Sequence, residues 1–261
     1  MLFPVQYRLD LQEGSRLVTV RDHLRRAYGS PGGFVALDPV SQLVRSSISS
    51  RTLDETSWAA FHRLADAFAD WNALADADPV EVEVRLRDVR WPGDKAARLS
   101  EALRRIRSQR GALELTFLKT WSVEAAHAWL EALPNVGPKV AAAVLNFSTL
   151  GMRLLVIDTH VLRIARRAGL VPARAETRAA HRLMMGSAPD SWEAGDLLEL
   201  HVLMKRLGQE ICRHGAPACG SCPLGTLCPG ASANSGVAAQ SGLIRSASTT
   251  QPSGRRRQTR M

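Results

Sequence analysis

Three features are missing from this sequence. There is no cysteine before residue 212, no apolar run long enough to cross a membrane, and no series of short segments in which apolar and polar residues alternate. The second absence excludes a protein built on membrane-spanning helices, and the third disfavours a β-sheet fold. The N-terminus also lacks a charged lead followed by a long apolar run, which argues against secretion. We therefore expect a helical protein in the reducing cytoplasm.

The positive charge of the chain is unevenly distributed. The 261 residues carry a formal net charge of +9 and the pI is about 10.2, so a polyanion is the first partner to consider. Five arginines and no acidic residue follow Gly230, and they account for more than half of the net charge. Residues 230–261 are otherwise rich in Ser, Ala, Gly, Thr and Gln, which predicts a disordered basic tail. The tail is either a nonspecific phosphate-binding segment or an unselected solvated end.

Helical periodicity runs through the rest of the chain, and several helix starts carry recognisable caps. Asp38-Pro39 and Asp78-Pro79 each place a capping acid before a proline, Ser122 is a third N-cap, and Thr52-x-x-Glu55 has the form of a capping box. The sequence therefore predicts an all-α fold. The predicted helices span about 15–28, 39–49, 52–68, 79–89, 95–108, 123–132, 138–147, 158–168, 176–186 and 192–208.

All of the cysteines lie within seventeen residues, as Cys212, Cys219, Cys222 and Cys228, with the spacing C-x6-C-x2-C-x5-C. Four thiolates this close in sequence can bind one zinc ion or one iron–sulfur cluster. Two disulfides or four free thiols are the alternative, which the absence of any secretion signal disfavours. The spacing alone does not distinguish the two kinds of metal centre.

A short turn separates the helices predicted at 123–132 and 138–147, and its sequence at residues 133–139 is LPNVGPK. Gly137 can adopt a positive φ, and Asn135 is one of the few other residue types tolerated in that conformation. Backbone amides in such a turn, at the N-terminus of the following helix, are well placed to bind a phosphate. A hairpin that serves packing alone is the alternative.

Lys139 lies in the first turn of the helix that follows this hairpin. An unperturbed lysine has a pKa of about 10.4, but burial and the positive end of a helix dipole both disfavour the ammonium form. A lysine at this position can therefore act as a nucleophile near neutral pH. A surface lysine that contacts phosphate is the alternative.

These motifs together resemble those of the endonuclease III group of DNA glycosylases. The cysteine spacing, followed by Pro229, is similar to the 4Fe–4S loop of that group, and residues 133–141 are similar to its helix-hairpin-helix, LPGVG-x-K-x-A. Residues 156–161, VIDTHV, resemble its V-D-T-H motif, and the likeness extends over residues 35–229 with the motifs in the expected order. The resemblance implies that the four cysteines bind a 4Fe–4S cluster and that Lys139 attacks the sugar.

Asp158 is the second catalytic residue that the resemblance implies. It follows an apolar run and begins a predicted helix, where a role as N-cap would be sufficient to explain it. Breaking an N-glycosidic bond develops positive charge on the deoxyribose, and a nearby carboxylate stabilises that charge and helps Lys139 lose a proton.

The resemblance also implies contacts with DNA. Arg51 stands where the family has a glutamine that fills the gap left by a flipped nucleotide, and Trp91 stands where it inserts an apolar residue, although ordinary packing would also explain Trp91. His160 is expected to be structural or close to a phosphate. The hairpin residues expected to contact DNA are Asn135, Val136 and Gly137, of which Asn135 replaces the first glycine of the family pattern.

The expected architecture has two lobes with DNA in the groove between them. An N-terminal helix (residues 1–34) packs with the cluster domain (151–229), a helical-bundle domain with the helix-hairpin-helix spans 35–150, and the tail is residues 230–261. The expected function is removal of damaged, oxidised pyrimidines from double-stranded DNA, and nicking at the resulting abasic site, by a monomer. The alternatives are a glycosylase for uracil or mismatched thymine without lyase activity, and a non-catalytic DNA-binding module with a zinc-stapled end.

Overall fold

The computed structural model describes residues 11–231, with side chains from Arg16 onward. Over this range the chain forms eleven α-helices, three short 3₁₀ helices and no β-strand, which confirms the predicted all-α fold. The α-helices are α1 (Leu11–Tyr28), α2 (Pro39–Ile48), α3 (Asp54–Ala67), α4 (Trp71–Asp76), α5 (Pro79–Arg85), α6 (Pro92–Arg110), α7 (Val123–Glu131), α8 (Pro138–Phe147), α9 (Thr159–Arg167), α10 (Thr177–Ser187) and α11 (Ala194–Glu210). The 3₁₀ helices are Thr116–Thr120, Cys219–Ser221 and Gly225–Leu227.

Most of the predicted N-caps are present. Asp38 Oδ1 accepts hydrogen bonds from the amides of Val40 and Ser41, each at 3.0 Å, at the start of α2. Asp78 and Ser122 cap α5 and α7 in the same way. Because a capping side chain satisfies amides that have no intrahelical partner, these residues fix where the helices begin.

Several predicted boundaries are wrong. The capping box at Thr52 is absent: α3 begins at Asp54 without a side-chain cap, and the Thr52 hydroxyl instead accepts a hydrogen bond from Lys95 Nζ at 3.0 Å. The helix α4, capped by Asp70, was not predicted because its six residues are too few to show a period. In addition, α1 begins at residue 11 rather than 15, α5 ends at 85 rather than 89, and α6 begins at 92 rather than 95.

The buried apolar side chains of the described residues form two cores. The first core is built by α2 to α8, and the second by α1, α9, α10, α11 and the segment that contains the cysteines. The predicted domain boundaries at residues 34 and 150 stay a prediction, and from residue 232 the predicted tail lies outside the described residues. None of the helices between residues 11 and 231 has the length and apolar character needed to cross a membrane.

An extended segment joins the two cores. Leu154 and Val156 belong to the first core, whereas Leu155 and Ile157 belong to the second. Successive side chains of an extended chain point in opposite directions, so one segment can serve both cores. The segment ends at Asp158, which therefore lies at the junction between them.

Candidate active site

Lys139 lies in the first turn of α8, where its ammonium group faces α2. Its Nζ donates a hydrogen bond to Ser49 Oγ, just beyond the end of α2, at 3.1 Å. The pKa of Lys139 is lowered to about 8, mainly by burial and also by the positive charge of Lys205, while the negative charge of Asp158 acts in the opposite sense. A substantial fraction of the amine is therefore neutral near physiological pH.

Asp158 is the N-cap of α9, as predicted. Its Oδ1 accepts hydrogen bonds from the amides of His160 and Val161, both at 2.8 Å. Burial acts to raise the pKa of this carboxyl, but nearby His201 and the Val161 amide outweigh it, so the pKa lies below its ordinary value. Since the charge of Asp158 also affects the pKa of Lys139, the structure brings the two predicted catalytic residues together.

Two histidines, His201 and His160, lie close to the Asp158 carboxylate and act to lower its pKa. His201 on α11 is buried, with its Nδ1 2.8 Å from the carbonyl oxygen of Val156, and burial lowers its pKa to about 4. His160 packs α9 against α11, because a Cβ added at Gly208 would lie only 2.7 Å from the His160 Cβ. Of the two roles expected for His160, structural or close to a phosphate, the described contacts concern packing, and contact with a phosphate stays a prediction.

The structure adds charged residues that sequence reasoning missed. Lys205 Nζ on α11 lies 2.7 Å from Asp54 Oδ1 at the start of α3, and Gln209 Nε2 donates to Asp54 Oδ2 at 2.9 Å. Arg45 on α2 is close enough to Lys139 to lower the pKa of that lysine. One sequence signal was available for Arg45: it precedes Ser49 by four residues, which places both on one face of a helix.

The hairpin before α8 differs from the prediction in where its backbone reverses. Asn135 has φ 61°, whereas Gly137 is extended, with φ −88° and ψ 176°. Pro138 explains this, since a residue that precedes proline is restricted to extended conformations. The amide of Val136 donates within the turn to Leu133 O at 3.2 Å, and its side chain is buried. The first backbone bond of α8 runs from the Ala141 amide to Gly137 O, so the amides of Gly137, Lys139 and Val140 have no intrahelical partner.

Arg51 and Trp91 lie in two neighbouring loops and share an unusual backbone conformation. Their φ angles are 53° and 55°, and with Asn135 they are the non-glycine residues with positive φ in the described part of the chain. The guanidinium carbons of Arg51 and Arg90 lie 5.5 Å and 4.3 Å from the centre of the Trp91 ring, which is 46% exposed. Such strained backbone positions concentrate at functional sites.

The buried ammonium of Lys95 connects these two loops. It donates to the carbonyl oxygens of Ile48 and Ser50, at 2.7 Å and 2.8 Å, and to Thr52 Oγ1. The Thr52 hydroxyl also accepts the Arg90 amide at 3.2 Å. Lys95 thus holds the end of α2 against the start of α6, and both Arg51 and Trp91 depend on it for their position.

The four cysteines lie in one segment against the second core. Burial raises the pKa of the Cys222 thiol, and the charges of Cys212 and Cys228 raise it further, so these three sulfurs are near one another. Arg167 on α9 anchors the segment, with Nη1 3.3 Å from Cys212 Sγ and 2.8 Å from the carbonyl oxygen of Arg213. Among the described residues, no three Cys, His, Asp or Glu side chains have an arrangement that could hold a single metal ion.

The donor set fits an iron–sulfur cluster. A 4Fe–4S cluster is held by four cysteine thiolates, and the described residues supply four free cysteines, of which three have sulfurs near one another.

Lys139 also borders a cavity of about 300 Å³ between α7, α8 and α10. The stacked rings of His127 and His181 lie on it, with centroids 6.2 Å apart, and Glu131 carries an ion pair to Arg178 at 3.1 Å. The floor is apolar and includes Leu155 and Ile157. The cavity is large enough for a planar ring. Helix α7 lines it and, through Trp129, also contributes to an aromatic group with Phe117 and Trp121.

A helical protein with a hairpin-borne lysine, a capping aspartate and four clustered cysteines belongs to the class of DNA glycosylases. The model of the HhH-GPD superfamily of base excision DNA repair proteins matches residues 44–189, which is more than half of the chain. The chain therefore belongs to this superfamily and is a base-excision repair DNA glycosylase, as the motifs predicted.

Individual relatives agree with this assignment. The chain is 29% identical over 214 residues to endonuclease III of Synechocystis sp., covering 81% of this chain and 90% of the relative. A solved non-covalent endonuclease III–DNA complex superposes with a TM-score of 0.72 at 20% identity, covering 85% of this chain and 98% of the other. A thermostable thymine-DNA glycosylase superposes with a TM-score of 0.69 at 15% identity and the same coverage. These two structures share the fold.

Proposed function

We propose that the protein removes damaged pyrimidines from double-stranded DNA and then cuts the strand at the abasic site, with Lys139 as nucleophile and Asp158 as the carboxylate that assists it. The observation that carries the proposal is the juxtaposition of a lysine whose pKa is lowered to about 8 with an ionised aspartate on another element. The similarity to endonuclease III of Synechocystis sp., which extends over 90% of that relative, supports the proposal.

The chemistry begins with the neutral amine. Its lone pair forms a bond to C1′ while the N-glycosidic bond breaks, and the base leaves with the bonding electrons and takes up a proton. Loss of a proton from nitrogen and opening of the sugar ring give a Schiff base. Removal of a proton from C2′ then expels the phosphate at C3′, which cuts the strand, and water releases the sugar from Lys139.

Asp158 and Ser49 have separate tasks in this scheme. The Asp158 carboxylate stabilises the positive charge that develops on the sugar and favours transfer of the Lys139 proton. Ser49 Oγ accepts a hydrogen bond from Lys139 Nζ at 3.1 Å and so orients the amine before the substrate arrives. Both partners are held by short local interactions, which reduces the rearrangement needed for attack.

The hairpin and the two strained loops are proposed to hold the DNA. The amides of Gly137 and Lys139 would bind one backbone phosphate. The space beside Gly137 is open, since no atom lies within 4 Å of a Cβ built there, so a phosphate would have room to approach these amides. Arg51, stacked towards Trp91, would fill the gap in the duplex after base flipping. His160 acts by packing α9 under Asp158.

Cys212, Cys219, Cys222 and Cys228 are proposed to hold a structural 4Fe–4S cluster. When bound, the cluster would cross-link these four residues of a segment too short to form a core of its own. Arg167 orients that segment through the Arg213 carbonyl, at 2.8 Å. Iron and acid-labile sulfide should copurify with the protein in equal amounts; a protein that contains stoichiometric zinc and no iron would contradict this assignment.

Borohydride trapping tests the catalytic proposal. Reduction of the Schiff base converts it into a stable protein–DNA adduct, so the wild-type protein should form an adduct with duplex DNA that contains an oxidised pyrimidine. Lys139→Ala should form none. Asp158→Asn should form adduct far more slowly because it lacks the negative charge, while its amide oxygen can still cap α9. Lys119→Ala, which replaces an exposed lysine, serves as the matched control. Base release without an adduct would instead identify a glycosylase that lacks lyase activity.

A further inference from the structure

Arg45 is a half-buried cation that the proposed reaction does not yet use. Its guanidinium carbon lies 4.3 Å from the centre of the Trp58 ring. Its Nε is buried without a hydrogen-bond partner, and among the described side chains Arg45 forms neither a hydrogen bond nor an ion pair. Burying a charged donor without an acceptor is unfavourable, so this guanidinium is a candidate for binding a ligand.

The nearest carboxylate does not meet this need. Asp54 is held by Lys205 at 2.7 Å and by Gln209 at 2.9 Å, and both come from α11. Burial lowers the pKa of the Arg45 guanidinium, and the charge of Asp54 opposes this only in part. Arg45 therefore keeps its donors available.

Helical geometry directs Arg45 towards the nucleophile. Arg45 and Ser49 are four residues apart, so they share one face at the end of α2, and Ser49 contacts Lys139 Nζ. Asp54 and Trp58 are likewise four residues apart on α3. The Arg45–Trp58 pair therefore lies near the amine that is proposed to attack C1′, the carbon to which the base is attached, and the Arg45 charge acts on that amine.

We infer that Arg45, stacked on Trp58, is a specificity-determining residue that donates hydrogen bonds to a carbonyl edge of the extruded base. The inference rests on the proposed function. A guanidinium has donors and no acceptor, so it pairs with the O4 carbonyl of uracil- and thymine-type lesions. It meets the C4 amino group of cytosine-type lesions donor to donor, and that contact leaves both groups unpaired.

Stacking on the indole makes this contact selective. It restrains the plane of the guanidinium and leaves the donors at its edge free to pair with a planar base, whereas a lysine at the same position would present a rotating point charge. The expected substrates are therefore uracil-type and oxidised thymine-type bases, ahead of lesions that keep an exocyclic amino group.

The matched lesions 5-hydroxyuracil and 5-hydroxycytosine test this inference, because they differ at C4 as carbonyl and amine. Single-turnover excision would be measured for the wild type, Arg45→Met and Arg45→Lys, with cleavage of a preformed abasic site as an internal reference. Relative to abasic-site cleavage, which also registers any change in the pKa of Lys139, Arg45→Met should slow 5-hydroxyuracil excision by about tenfold and 5-hydroxycytosine excision much less. Arg45→Lys should recover little of the lost preference.

The controls separate this inference from its alternatives. Arg98→Met removes an exposed arginine and should change nothing, and Trp58→Leu should weaken the preference in the same direction as Arg45→Met.

An equal slowing of both lesions by Arg45→Met would overturn the inference, since it would identify a phosphate contact or a folding defect. A changed preference in His181→Gln, with none in Arg45→Met, would also overturn it and place the base in the α7–α10 cavity. Absence of base release or adduct in the wild type would instead refute the proposed function.

Discussion

Lys205 on α11 and Asp54 at the start of α3 form an ion pair of 2.7 Å that joins the two cores beside Lys139. The pair is half-buried, and its partners are 151 positions apart in the chain. Its importance lies in its location more than in its strength, because a partly exposed ion pair contributes little to stability. The cation of Lys205 disfavours protonation of Lys139 and so keeps the amine reactive.

Replacing Lys205 should therefore shift the pH dependence of catalysis. Loss of the cation in Lys205→Met favours the ammonium form of Lys139, and freeing the Asp54 carboxylate acts in the same direction, so the pKa of Lys139 rises. The limb on which the rate of adduct formation rises with pH follows deprotonation of Lys139, so it should move upward by roughly half a pH unit, and the rate at neutral pH should fall. Lys205→Arg should restore the wild-type profile, and Arg206→Met, its exposed neighbour, should not alter it. An unchanged profile in Lys205→Met would contradict the assigned role.

The elements that sequence could predict are those whose chemistry is local. Asp38, Ser122 and Asp158 cap helices through amides two or three residues away, so their roles follow from short patterns. The position of Lys139 in the first turn of α8 was predicted from the hairpin that precedes it, whereas its role as nucleophile came from the family resemblance and stays a prediction. The helix α8 was predicted with both ends correct, since a proline begins it and its apolar residues are continuous.

The remainder depends on contacts between distant parts of the chain. Nothing near Asp54 in sequence indicates that Lys205 binds it, and nothing near Thr52 indicates that its hydroxyl serves Lys95 in place of a helix cap. Of the two hairpin residues that tolerate a positive φ, Asn135 adopts it and Gly137 does not, and a local rule explains the difference: Pro138 restricts Gly137 to extended conformations.

Lys95→Met should destabilise the protein and displace the loops that carry Arg51 and Trp91. The substitution leaves the carbonyl oxygens of Ile48 and Ser50 without their donor in a buried site, which costs about 2 kcal/mol of unfolding free energy. Urea denaturation measures that loss, and DNA affinity should fall as well. Lys119→Met, an exposed control, should leave both unchanged. A stable Lys95→Met variant with full DNA affinity would be inconsistent with Lys95 as the link between the loops.

Asn135 offers a test of backbone strain, because its φ of 61° is accessible to glycine and unfavourable for alanine. Asn135→Ala should lower the unfolding free energy by about 1 kcal/mol and weaken DNA binding by distorting the hairpin. Asn135→Gly, which restores the residue typical of the family pattern, should retain both properties. Thermal unfolding and a DNA-binding titration distinguish the two variants; equal behaviour of alanine and glycine would mean that the turn relaxes into another conformation.

His201 should make the protein sensitive to mild acid. Burial lowers its pKa in the folded state to about 4, whereas the unfolded chain has the ordinary value of 6.5. Between these values the unfolded state binds a proton that the folded state does not, so stability falls as the pH decreases from 6.5 towards 4. Asp158 titrates below this window because its pKa lies beneath the ordinary carboxyl value.

In His201→Gln the amide can still donate to Val156 O, and the slope of unfolding free energy against pH should flatten between pH 6.5 and 4. Urea titrations at a series of pH values measure this slope, with exposed His62→Gln as the control. If His201→Gln keeps the wild-type slope, the acid sensitivity arises elsewhere and His201 does not stay neutral beneath the active site.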